Sequence, residues 1–304
     1  MTLTQICGGL DFPEGPIAMA DGSVILVEIR RQTLSRVTPD GQIEVIAHLG
    51  GGPNGAAVGP DGMIYVCNNG GFVWTQKDGI TRPVGTPDDY VSGKIQRVDP
   101  ATGNYETIYD SCDGTPLRGP NDIVFDAEGG FYFTDLGKAN ADYMHHGAFY
   151  YAKTDGSHIN RVHSPMITAN GIGLSPDSKT VHVAETRTGR VWSFDLIGAG
   201  KIAPLPFNMP GRLLCTLPDY QLLDSLAVQA DGTICVATLM RGGITLVPAE
   251  GGEVTFLAIP DDPYITNICF GGADMRDAWI TASGTGRLYH TRWPSAGLKL
   301  NFNG

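Results

Sequence analysis

Residues 169–186 read ANGIGLSPDSKTVHVAET. Asn170 leads a three-residue apolar run at 172–174, a Ser-Pro-Asp turn follows, and a second run rich in β-branched residues occupies 181–183. Each run is too short for a helix. A short apolar run bounded by turn residues reads as a buried strand, and two such runs across a tight turn read as an antiparallel pair.

The same order of residues recurs along the chain. A residue with a side-chain oxygen is followed seven positions later by Asp or Glu at a turn in six pairs: Glu14/Asp21, Asn54/Asp61, Asn121/Glu128, Asn170/Asp177, Asp224/Asp231 and Asn267/Asp274. Apolar runs follow the lead residues at 16–19, 56–58, 123–125, 172–174, 226–228 and 268–270, and partner runs follow the turns at 24–27, 63–66, 131–133, 181–183, 234–236 and 279–281. Asp-Gly at 21–22, 61–62 and 231–232 is a hairpin signal. Further strand-like stretches close most units, for example 33–37 with 42–47 and 94–98 with 104–109. About four strands per unit, at intervals of 40, 67, 49, 54 and 43 residues, is the pattern of propeller blades. The expected fold is all-β, a six-bladed β-propeller forming one domain over 1–304. Either 3–7 or 298–302 could supply the outer strand of the last blade.

Composition agrees. The 304 residues include 41 Gly and 20 Pro, no amphipathic helical window stands out, and the length suffices for one large core. A net charge of −11, with no local cluster of Lys or Arg, argues against nucleic acid and anionic membrane surfaces as partners. The start, MTLTQICGGLDFPEGP, has no basic segment followed by an apolar run, and no 18-residue apolar stretch occurs. The expectation is a cytoplasmic protein without membrane contact. Six Cys at 7, 67, 112, 215, 235 and 269, with no CxxC spacing, read as small buried thiols rather than disulfides.

In a propeller the first strand of every blade lines the central channel, so the six lead residues share one mouth. Glu14, Asn54, Asn121, Asn170, Asp224 and Asn267 are expected one step before their inner strands, as a ring. Residues ending the second strands, Glu28, Asn68, Asn69, Asp135 and Glu185, reach the same face, and Glu28, Asp135 and Glu185 are expected to serve structural hydrogen bonds. Two readings of the ring stay open. An Asn or Asp before a strand can cap its own turn; alternatively, oxygen donors that include two carboxylates hold a hard divalent cation.

At these residues the chain resembles the SMP-30/gluconolactonase/luciferin-regenerating-enzyme family of six-bladed propellers. The resemblance is carried by FPEGP at 12–16, RGPND at 118–122, ANGIGLSPDSKTVHVAET at 169–186 and LDSLAVQADGTICVAT at 223–238, in the family order. It implies a metal-dependent lactonase, with one divalent ion (Ca, Mg, Mn, Zn or Fe) on Glu14, Asn170 and Asp224, and with Asn121 near substrate or a water on the ion. Some family members place a substrate-binding Arg two residues before that Asn; here Arg118 stands three before it.

A lactone carbonyl must be polarised while water attacks, and a divalent ion suffices without a nucleophile. GxSxG, HExxH and P-loop patterns are absent, which removes the main support for serine hydrolase, zincin and NTPase readings. Asp224 is the candidate for both ligand and proton acceptor. Asn121, Asn54, Arg118, His146 and Asn267 are candidates for contacting a small lactone substrate. Two long loops, 70–91 with Phe72, Trp74 and Tyr90, and 137–147 with Tyr143, His145 and His146, are expected to set specificity. The alternatives are a non-catalytic calcium-binding or interaction propeller and a strictosidine-synthase-like enzyme.

Overall fold

The computed structural model describes residues 2–303. Among them lie six antiparallel blades, five of four strands and the fourth of five, and the sole helical element is a single 3-10 turn at Pro206–Asn208. The inner strands are Pro13–Ala18, Pro53–Val58, Pro120–Phe125, Ala169–Leu174, Leu222–Val228 and Ile265–Gly271. Each packs against the next and the last packs against the first, which closes the ring. Blade 1 runs outward from Pro13–Ala18 through Val24–Glu28 and Thr33–Val37 to Ile43–His48. Its second strand is buried at every position, whereas all but one residue of its outermost strand are exposed or half-buried. That gradient explains why the second strands read as continuous apolar runs: they meet neighbouring blades on both faces. Between blades 2 and 3, for instance, Tyr65 meets Phe125 edge-on at 5.2 Å within a cluster that includes Phe131 and Phe133.

Blade 6 takes its outer strand from the N-terminal end: Thr4–Cys7 pairs with Arg287–Arg292. The C-terminal segment goes elsewhere. The backbone N–H of Leu298 bonds the carbonyl of Val228, Asn301 Nδ2 donates to the carbonyl of Phe125, and Leu298, Leu300 and Asn303 line a small channel cavity of about 70 Å3.

One expectation is corrected. The lead residues do not precede their inner strands but lie inside them, at the second or third position. In every blade the register slips there, within or at the edge of the intervals 14–17, 53–55, 120–123, 169–172, 223–226 and 265–267. An irregularity of this kind re-aims a side chain. Glycine follows the lead residue in blades 1, 2 and 4, and packing accounts for all three: a Cβ on Gly55 would clash with the Asn121 carbonyl oxygen. A Cβ on Gly15, which also has φ +53°, would sit 2.8 Å from the Ala56 nitrogen, and one on Gly171 would sit 2.7 Å from the Asp224 carbonyl oxygen. The inner strands close tightly at the ring because these positions carry no side chain.

Candidate active site

The re-aimed side chains converge on a cavity of about 570 Å3 at one mouth of the channel. Glu14, Asn54, Asn121, Asn170 and Asp224 line it. The sixth lead residue, Asn267, lies outside the wall: its Nδ2 donates to Glu14 Oε2 at 2.7 Å and its Oδ1 accepts from the Ile268 N–H at 2.8 Å. Asn54 is likewise satisfied, since its Oδ1 accepts from Asn69 Nδ2 at 2.9 Å and its Nδ2 reaches the Asn121 carbonyl at 3.4 Å.

Three other oxygens have no such partner. Glu14 Oε1, Asn121 Oδ1 and Asn170 Oδ1 are buried and accept no hydrogen bond, although Asn170 Nδ2 donates to Thr186 Oγ1 at 3.0 Å. A buried acceptor left unpaired costs roughly 1–3 kcal/mol, so three on one cavity call for an occupant. Turn capping, the plainer reading of these residues, would have satisfied them locally. The ends of the second strands provide the contrast. Asp135 accepts from the N–H groups of Arg118, Gly119 and Gly137 at 2.7–2.8 Å. Glu185 accepts from Ile167, Thr188 and Trp192 at 2.6–2.9 Å. Glu28 takes Asp11 N–H and Ser35 Oγ and pairs with Arg31 at 2.6 Å. Their bonds are structural, as expected, and none of the three lines the cavity.

Charge separates the ring in the same way. Burial raises Glu14 well above the ordinary carboxylate range, and the nearby charges of Asp224 and Asp122 push it further against the opposing bond from Asn267. Asp224, on the cavity wall, is pushed up to about 7 by desolvation, with the Asn170 amide and the Ser225 N–H acting in the other direction and Asp122 adding to the rise. Asp122, which the sequence reading passed over, lines the small channel cavity behind the mouth. It points from the position after Asn121 into the channel, is pushed up to about 7 by burial, and is held by the N–H groups of Ile123 at 2.9 Å and Ile172 at 3.2 Å. Its only sequence signal is the Asn-Asp doublet, where blades 1, 2 and 4 have Gly.

Three acids that repel one another in a dry site are a natural place for a cation. Among the described residues no group of three or more His, Cys, Asp and Glu side chains is arranged to hold a metal. The donors that fit here are two carboxylates and two amides, which suits a hard ion.

Besides Asn267, two further expected substrate contacts are not brought to the cavity. Arg118 is outside its lining; its carbonyl accepts from the Tyr90 hydroxyl at 2.5 Å and its N–H goes to Asp135. His146 is exposed and also outside.

The loop 70–91 carries a hairpin, Val73–Lys77 with Ile80–Gly85, and contributes Phe72, Arg82 and Pro83 to the wall. Trp74 packs on Phe12 at 4.8 Å and on Phe72 at 5.8 Å. Further wall residues missed from sequence are Tyr220, Met240 and Tyr264 on turns of blades 5 and 6, and Arg187 after the second strand of blade 4. The loop 137–147 lines an adjoining cavity of about 660 Å3 instead. Lys138 pins the two loops together: its buried Nζ donates to the Gly71 carbonyl at 2.7 Å and lies 4.4 Å over Phe72 and 5.0 Å over Tyr90. Burial lowers it to about 8.

Comparison with known proteins places this geometry in context. The sequence pattern of the SMP-30/Gluconolactonase/LRE-like region matches residues 12–284. Lactonase drp35 of Staphylococcus saprophyticus is 29% identical over 81% of this chain and 69% of its own length. The gluconolactonase of Zymomonas mobilis is 25% identical over 88% of this chain and 75% of its own. Among solved structures, a gluconolactonase from Xanthomonas campestris superposes with a TM-score of 0.74 at 21% identity, covering 96% of this chain and 89% of that one. The calcium-binding protein regucalcin from Agrobacterium tumefaciens superposes with a TM-score of 0.74 at 15% identity, covering 97% and 94%. At these identities the superpositions establish a shared fold.

Proposed function

The chain belongs to the SMP-30/Gluconolactonase/LRE-like family, and we propose that it hydrolyses a lactone to the hydroxy acid at the mouth cavity, with one divalent ion held by Glu14, Asn170 and Asp224. The observation that carries this reading is the set of unpaired buried oxygens, Glu14 Oε1, Asn121 Oδ1 and Asn170 Oδ1, beside the Asp224 carboxylate. Asn121 adds a fourth oxygen, for the ion or for a substrate hydroxyl. The set contains no His or Cys, which suits Ca, Mg or Mn, with Zn or Fe also within the family range. When bound, such an ion supplies Lewis acidity toward a carbonyl oxygen and balances the buried carboxylates.

The remaining work falls to side chains. Glu14 is fixed by Asn267 from beneath, so it stays a ligand. Asp224 is the carboxylate on the open wall, and it accepts the proton of the attacking water. Asn54, locked by Asn69, presents a fixed edge that orients the substrate. The aromatic group Phe12, Phe72, Trp74 and Tyr264 shields the reacting carbonyl from bulk water. We also assign the protein to the cytoplasm, a reading supported by six cysteines that are all unpaired, four of them buried. No helix of the described residues is long and apolar enough to cross a membrane.

The test is acid release in a pH-stat from a lactone panel, using protein stripped of metal and refilled with each ion in turn. Hydrolysis of at least one lactone, absent after stripping and restored by refilling, is the expected result. Binding of calcium with no turnover of any lactone would make the protein a non-catalytic propeller.

A further inference from the structure

Two arginines line this mouth without a carboxylate partner. Acidic residues outnumber Lys and Arg by 32 to 21, and Arg30, Arg31, Arg36, Arg97, Arg212 and Arg292 each lie 2.6–3.4 Å from a carboxylate. Arg82 and Arg187 both line the cavity and are exposed, and neither forms an ion pair or a side-chain hydrogen bond among the described residues. They approach from either side of blade 3, Arg82 on the hairpin of blade 2 and Arg187 on a turn of blade 4.

The space between them is larger and less polar than a simple sugar ring requires. The mouth cavity and its neighbour share Phe72, Pro83, Leu136, Thr168 and Arg187, so they form one elongated cleft. Beyond the oxygen cluster the wall is mainly apolar, with Phe12, Phe72, Leu136, Leu239, Met240 and Tyr264. A polyhydroxylated substrate would leave its hydroxyls without partners along such a wall, at a cost of roughly 1–3 kcal/mol for each one buried.

We propose that the substrate is an anionic lactone, with its ring at the oxygen cluster, an apolar body along the cleft, and a carboxylate held by Arg82 and Arg187. The proposal rests on the lactonase reading and names its substrate class. Guanidinium groups bind carboxylates through paired N–H donors, and two of them at the rim offset the repulsion that a chain of net charge −11 presents to an anion.

Two γ-butyrolactones with side chains of equal length, one ending in methyl and the other in carboxylate, test the proposal on the metal-refilled protein. The expected result is a kcat/KM at least about tenfold higher for the carboxylated lactone, a preference that shrinks with added salt. Arg82→Ala and Arg187→Ala should each remove a large part of that preference, and the double variant nearly all of it, mainly through KM. Equal or better turnover of the neutral lactone, or variants that slow both substrates alike, would overturn it. If neither lactone is hydrolysed, the hydrolytic reading fails by itself. Calorimetric binding of the two ring-opened acids then decides the arginine assignment: tighter binding of the acid with the second carboxylate, lost in the variants, supports it, and equal binding refutes it.

Discussion

Asp224→Asn, assayed at saturating divalent ion, is expected to hydrolyse lactone roughly 10²–10⁴-fold more slowly than the parent, the range typical of a lost general base. The substitution keeps the shape of the side chain and one oxygen donor while removing the charge and the proton acceptor. Asp224 is a carboxylate on the wall of the mouth cavity, bonded there by the Asn170 amide and the Ser225 N–H, whereas Glu14 is tied to Asn267 behind the wall. Its carboxyl, pushed up to about 7 by burial, is matched to accept a proton near neutral pH. Loss of affinity for the ion and loss of the base separate cleanly. Weakened affinity is repaired by raising the ion concentration; a missing base is not. Full recovery of rate at saturating ion would reduce Asp224 to a ligand.

The same substitution should have the opposite effect on stability. In metal-free buffer at pH 8, Asp224→Asn is expected to melt higher than the parent by roughly 5 °C, and by much less at pH 5. The sign follows from linkage. A carboxyl near 4 in the unfolded chain and near 7 in the fold binds more protons when folded between those values, so its contribution to stability falls as pH rises through that window. Once ionised, it also repels Glu14. Asn carries neither cost, and at pH 5 the parent's own Asp224 is already protonated. The comparison is between variants because His163 and His182, both lowered by burial, work in the other direction between their folded values and about 6.5. They do so equally in both proteins. A divalent ion should reverse the ranking at pH 8, since it binds the ionised fold in preference to the unfolded chain. Identical melting of the two proteins at both pH values would mean that Asp224 is not under electrostatic stress. Residues kept for chemistry at a cost in stability are a common feature of active sites.

Both predictions depend on a ring whose membership was largely legible in the sequence. The seven-residue interval from each lead residue to its turn is a local property of a strand and its hairpin, so it survives in the order of the amino acids. The six blades follow from it, as do strands such as Thr33–Val37 and Lys94–Val98. What escaped depends on contacts between strands distant in sequence. The register slips that turn Glu14 and Asn170 into the mouth arise in pairing with the second strand and leave no periodic trace. The outer strand of blade 6 could not be chosen because 3–7 and 298–302 carry similar apolar patterns; the N-terminal one pairs, and the other lies along the channel.

The site divides in the same manner. Identical residue types at equivalent positions, Asn54, Asn121, Asn170 and Asn267, separate into bonded and unbonded oxygens only through neighbours such as Asn69 and Ile268. Asp122 looks like one more turn residue until three blades are packed around it. Arg187 and Tyr264 sit in loops with no distinctive spacing, whereas the more conspicuous Arg118 and His146 lie outside the cavity lining.

The central claim is that the unpaired oxygens of the ring hold one divalent ion, and elemental analysis after dialysis against that ion tests it most directly. The expected result is one ion per chain in the parent and almost none in Glu14→Ala, Asn170→Ala and Asp224→Ala, each checked for an intact fold by circular dichroism. Full stoichiometry in all three folded variants would contradict the account.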